Sequence, residues 1–185
     1  MLKINKFFLF LFFLTFSFSV FSFSGNSIYN LNSRLINYNG EILDFPKFSG
    51  KIQVFSMIYT RCKTVCPVII SNMKAIEKLL SEDLKYDVNF LLISLDPDRD
   101  SVDVLKKFFN EKKFGPDRWN LCKTNKSETL RIALATGIKY KKEKNDEYTH
   151  SNVIVILDKE GVIRLHHPGL DKNYDGVIDL IKSLK

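Results

Sequence analysis

At 185 residues, 45% of them apolar, the chain is long enough for one domain plus an export segment and can fill a single core. The formal net charge is +7, but Lys and Arg are scattered among Asp and Glu and build no basic face, which argues against a nucleic-acid partner. Three cysteines are too few to staple a scaffold of this size, so Cys62, Cys66 and Cys122 must be read for chemistry.

In chain order, Lys3 and Lys6 precede an apolar run from Phe7 to Phe23, the two leading parts of an export signal. Ser22 and Ser24 supply small residues for cleavage between Ser24 and Gly25. If retained, residues 7–23 would be a membrane anchor, although Ser and Thr make the run marginal for a span of about 20 apolar residues. Either outcome places the body, residues 25–185, outside the cytoplasm: in the periplasm, on the periplasmic face of the inner membrane, or in the equivalent intermembrane space. No cysteine closely follows the run, so lipid attachment through a thiol there has no support.

Tyr29 to Phe48 alternates loosely and turns at Asn39-Gly40, predicting a hairpin. Ile52 to Tyr59 is a compact apolar run and predicts a buried strand ending just before Cys62. Pro67 suits a helix start, and Ile70, Met73, Ile76, Glu77 and Leu80 carry a helical stripe to about Ser81, leaving Cys66 near the helix N-terminus. Val88 to Leu95 predicts a second strand, followed by the acidic loop Asp96 to Asp100 and a helix over 101–112 capped by Ser101 or Asp100. Ser127 to Thr136 predicts a helix stopped by Gly137. The charged stretch Lys139 to Glu147 carries both signs and reads as a solvated loop. Ser151 to Leu157 predicts a third strand, folded by Lys159-Glu160-Gly161 onto Val162 to His166, and Tyr174 to Leu184 a last helix. The order, a hairpin and then β-α-β-α-α-β-β-α, predicts an α/β fold with a mixed sheet covered by helices on both faces.

Two cysteines with three residues between them, at a strand-to-helix junction, lie where backbone N–H groups and the helix dipole favour thiolate over thiol. The pair is therefore a candidate nucleophile or metal site on a surface loop. Soft thiolates select Cu(I) or Zn(II), and a structural zinc site normally needs four Cys or His ligands. Two thiolates and one imidazole suit copper. His150, immediately before the third strand, is at the level of the cysteine loop. His166 and His167 are at the other end of the final hairpin and read as surface residues.

Three strings, in order, resemble one family. Tyr59-Thr60-Arg61-Cys62-Lys63-Thr64-Val65-Cys66-Pro67 resembles the copper-binding loop of the Sco (SenC-type) proteins. Ser94-Leu95-Asp96-Pro97-Asp98-Arg99-Asp100 resembles their acidic loop, and His150-Ser151, running into Leu157-Asp158-Lys159-Glu160-Gly161, their histidine segment. The resemblance covers nearly the whole body. It implies a thioredoxin-like three-layer fold, with the hairpin as an N-terminal extension, and a copper ion, Cu(I) or Cu(II), held by Cys62, Cys66 and His150. Asp96 would stand behind these ligands. It further implies work on the dinuclear copper centre of cytochrome c oxidase subunit II, with a copper donor protein or thiol reductant as further partners. Trp119-Asn120-Leu121-Cys122-Lys123 departs from the family pattern, and Cys122 reads as a small core residue.

The same thiol pair could instead serve an extracytoplasmic thiol–disulfide oxidoreductase, with Cys62 and Cys66 as its redox-active thiols. Against this as the main role, thioredoxin-like reductases carry two residues between their cysteines, and Thr149-His150-Ser151-Asn152 lacks the proline that faces their site. A peroxiredoxin-like site needs a Thr three residues before the reactive Cys, where this chain has Tyr59 and Lys63. A copper or redox sensor would use the same three residues as a chaperone, and sequence does not separate the two.

Overall fold

The computed structural model describes residues 25–144 and 147–185, so the predicted export segment lies outside the described residues. After a 3-10 turn at Ile28–Leu31, strands β1 (Arg34–Asn37) and β2 (Ile42–Asp44) form the expected hairpin. Asn37 Oδ1 accepts from the N–H groups of Asn39 and Glu41, each at 2.9 Å, and Gly40 takes the left-handed φ of 85° that closes the turn. Tyr29 belongs to the 3-10 turn rather than to a strand. Its ring is fully buried and its hydroxyl donates to Phe48 O.

The core is built around β3 (Ile52–Ile58), in which all seven residues are buried. Because successive strand side chains point to opposite faces, this pattern requires cover on both sides. Helix α1 (Val65–Leu79) leads into β4 (Val88–Ser94), which runs parallel to β3 from the pair Ile52 and Val88 to the pair Ile58 and Ser94. Helix α2 (Val102–Glu111) is capped by Ser101, whose hydroxyl accepts from Val104 N–H.

A strand that periodicity does not reveal follows: β5 (Trp119–Lys123) pairs parallel with β4 and antiparallel with β1. Its five residues are too few to declare a period, and it exists because β4 and β1 offer backbone partners on both sides. Helix α3 (Lys126–Ala135) ends at Gly137, φ 70°.

The stretch predicted as a solvated loop, Lys139 to Glu147, instead supplies β6 (Tyr140–Lys142), which pairs with β7 (Tyr148–His150) just beyond it to form a two-stranded ribbon. Lys141, Lys142 and Lys144 are exposed as expected, while Tyr140 and Tyr148 are half-buried against the body. Strands β8 (Val153–Leu157) and β9 (Ile163–Pro168) and helix α4 (Asp175–Ser183) complete the chain. The seven-stranded mixed sheet has the order β2-β1-β5-β4-β3-β8-β9, an α/β fold of the thioredoxin-like kind.

The final hairpin shows how the two faces are covered. His166 Nε2 lies 2.9 Å from Thr136 O at the end of α3, whereas the next residue, His167, lies against Tyr174 at the start of α4. Adjacent residues on a strand face opposite ways, so α3 and α4 lie on opposite sides. The pairing also corrects the predicted position of both histidines. They stand opposite Val155 and Ile154, beside the first half of β8, and His167 is buried with only 6% exposed. Among the described residues no helix is long and apolar enough to cross a membrane.

Candidate metal centre

The site forms where β3 runs out. Leu95 N–H still reaches Ile58 O at 2.7 Å, and the chain then turns, with Cys62 N–H donating to Tyr59 O at 3.2 Å. Thr60 within this turn is fixed by Asp100, which is fully buried: Thr60 Oγ1 and N–H donate to its two carboxylate oxygens, and Ser94 Oγ donates as well. Burial raises the Asp100 pKa, against the lowering effect of these donors from Ser94 and Thr60.

Helix α1 begins at Val65, two residues earlier than predicted, so Cys66 lies in its first turn. Thr64, at the N-cap position, makes no side-chain capping bond. The Cys62 sulfur takes that role, accepting from Cys66 N–H at 3.4 Å. Burial works against the Cys62 thiolate, but it is outweighed by the Cys66 N–H, the Cys66 thiol and the N–H groups of Thr64 and Val65. The Cys62 pKa is therefore lowered from 9.0 to about 6.

Cys66 goes the opposite way: burial, reinforced by the neighbouring Cys62 charge, pushes its thiol well above the ordinary range. The loop is at the surface as expected, with Arg61, Lys63 and Thr64 exposed, but its sulfurs are not. Cys62 is 9% exposed and Cys66 1%, because Cys66 lies on the same inward stripe of α1 as Ile69, Ile70, Met73 and Ile76.

His150, the last residue of β7, brings Nε2 to 3.5 Å from Cys66 Sγ. Its Nδ1 lies 3.0 Å from Ser151 O; a carbonyl can only accept, so Nδ1 is the donor there and Nε2 is the ring nitrogen turned toward the sulfurs. The donor atoms of Cys62, Cys66 and His150 all lie within 4.8 Å of one another. Two thiols and one correctly oriented imidazole nitrogen fit a soft metal such as copper.

Asp96 is not part of that donor group. It is buried, its Oδ2 paired with Arg99 and its Oδ1 accepting from Tyr148 Oη at 3.3 Å. Cys122 is fully buried on β5, and burial pushes its pKa up to about 12, in agreement with the core reading. Sequence reasoning gave no role at the site to Glu147 or Tyr148, nor to Tyr59 and Asp100, although these two stand inside the strings that carry the family resemblance. Tyr148 was within reach of it: at two residues before His150 it shares that residue's face of β7.

The family model described as SCO1/SenC matches residues 25–185. A curated relative, the SCO1 protein homolog of Bacillus subtilis, is 27% identical over 151 residues, covering 80% of this chain and 78% of its own. The crystal structure of a SCO1/SenC family lipoprotein from Bacillus anthracis superposes with a TM-score of 0.74 at 25% identity, over 83% of this chain and 96% of that one. The crystal structure of Arabidopsis thaliana ScoI with copper bound gives 0.72 at 23% identity, over 82% and 96% of the two chains.

Proposed function

This chain belongs to the SCO1/SenC family, and on that premise we propose that it binds one copper ion through Cys62, Cys66 and His150 and delivers it to an extracytoplasmic acceptor. The observation that carries this reading is the convergence of two sulfurs and one imidazole nitrogen within 4.8 Å. Cys62, already a thiolate near neutral pH, is the first sulfur to engage the metal. Cys66 gives up its proton as it binds, so copper binding releases protons and weakens in acid. His150 closes the site and adjusts its preference between oxidation states. The ion leaves by ligand exchange with a docked acceptor, which the family resemblance makes subunit II of cytochrome c oxidase. Residues 25–185 act as one exported domain, released from or anchored by residues 7–23.

A second reading is favoured by the split between the two thiols. Cys62 thiolate attacks a partner disulfide, forming a mixed disulfide and expelling one partner thiolate. Cys66, once deprotonated, displaces the other, leaving a Cys62–Cys66 disulfide and a partner reduced by two electrons.

Copper titration of the reduced protein, beside Cys62→Ala, Cys66→Ala and His150→Ala, distinguishes the readings. One copper per chain, lost in both Cys variants and weakened in the folded His variant, supports the copper reading. No copper binding, with rapid reduction of a test disulfide, supports the oxidoreductase.

A further inference from the structure

His150 reaches the cysteines from the β6–β7 ribbon, which among the described residues pairs with no strand of the main sheet. A lone two-stranded ribbon is marginal by itself, so its place depends on side-chain contacts as well as on its short chain connections to buried Ile138 and to β8. Within the ribbon, Ser151 N–H bonds to Lys139 O at 2.8 Å and Lys139 N–H to Ser151 Oγ at 3.1 Å, but these join its two arms to each other.

Two tyrosines, one from each side, join the ribbon to the body. Tyr59, from the end of β3, donates its hydroxyl to Glu147 Oε2 at 2.7 Å and accepts a long bond of 3.5 Å from Tyr148 N–H. Tyr148, from the ribbon, donates to Asp96 Oδ1 at 3.3 Å, and the Arg99 guanidinium lies 5.9 Å from its ring centre. The two rings lie 5.4 Å apart, and the Tyr59 ring also meets His150 edge-on at 6.1 Å. The acidic loop is thereby joined to the histidine ribbon through a phenol, and Asp96 acts two steps removed from the donor atoms.

We infer that Tyr148 and Tyr59 form a hydroxyl latch that positions His150 over the cysteine pair, with Asp96 and Glu147 as its acceptors. Both tyrosines are positioning residues, and for copper the inference rests on the reading proposed above. Without the hydroxyl bonds the ribbon keeps its backbone pairing and the packing of Tyr140 and Tyr148 against the core, but the third donor is held less firmly at the sulfurs.

The test uses Tyr148→Phe and Tyr59→Phe, which keep the rings and remove only the hydroxyls. In the reduced, metal-free protein, hydrogen exchange of the β6–β7 amides should quicken about fivefold in Tyr148→Phe, the worth of one lost hydrogen bond, and at least as much in Tyr59→Phe, which loses two, and the His150 ring NMR signals should move. With Cu(II), affinity should fall by a similar factor in the parent background and show no further fall in His150→Ala. Parental exchange rates and His150 signals in both variants would overturn the latch, as would an equal loss of affinity with and without His150. A parent that binds no copper would refute the copper reading alone, leaving exchange and the His150 signals to decide the latch.

Discussion

The difference between the two thiols can be tested by pH alone. With the Cys62 pKa lowered from 9.0 to about 6, the sulfur is protonated below that value and charged above it. At pH 7 about 90% of Cys62 is thiolate, against about 1% for an unperturbed thiol of pKa 9, a gain of about 90-fold. A less basic thiolate is also a poorer nucleophile; with a Brønsted slope of roughly 0.4–0.5, three units cost roughly 15- to 30-fold. The two factors leave Cys62 about three- to sixfold faster than a model thiol at pH 7, with a larger advantage at pH 6. The assay is the first reaction of reduced, metal-free protein with a chromogenic aromatic disulfide, followed from pH 4.5 to 9 with the modified residue located by mass spectrometry. The rate should rise through a midpoint near 6 and report on Cys62. A midpoint near 9, or first attack by Cys66, would refute the capping of α1 by the Cys62 sulfur as the origin of the asymmetry.

Other outcomes follow from the same structure. Cys122 should stay unmodified in the native protein at neutral pH, and Cys122→Ser should lower stability by about 1–3 kcal/mol in urea unfolding while leaving copper stoichiometry unchanged. Asp100→Ala strips acceptors from Thr60 and Ser94 and should cost about 3 kcal/mol in the same assay, because buried donors lose their partner. Gly161→Ala should cost about 2–3 kcal/mol: its backbone has φ 79°, and a Cβ there would lie 2.5 Å from the Tyr29 ring, which has no room to retreat. Measured losses below about 0.5 kcal/mol at either site would contradict the packing described for it.

Much of the architecture was legible because its signals are local. The run Ile52 to Ile58, apolar but for Gln53 and Ser56, the 3.6-residue stripe of α1 and the caps at Ser101 and Gly137 depend on neighbours in the chain, and each of these elements formed within about two residues of its expected bounds. Strand β5 was not legible, since Trp119 to Lys123 becomes a strand only where β4 and β1 flank it. Nor was the ribbon, whose lysines carry the look of a loop while Tyr140 and Tyr148 pack inward. The burial of the sulfurs and of His167 depended likewise on which faces meet, a fact no window of sequence contains.

By itself, then, the sequence determined the chemistry of the candidate site: two cysteines flanking three residues at a strand-to-helix junction, and a histidine just before an apolar strand. Residue type and local period suffice for that, because thiolate chemistry and helix N-termini are short-range properties. The tertiary structure alone decided that His150 Nε2 meets Cys66 Sγ across 84 positions of chain, and that Cys62 rather than Cys66 is the acidic thiol. It also decided that Asp96 answers to Tyr148 and stands apart from the Cys62, Cys66 and His150 donor atoms. Distances between remote residues, and the burial that sets a thiol's charge, come into being only when the sheet closes and desolvates what lies beneath it.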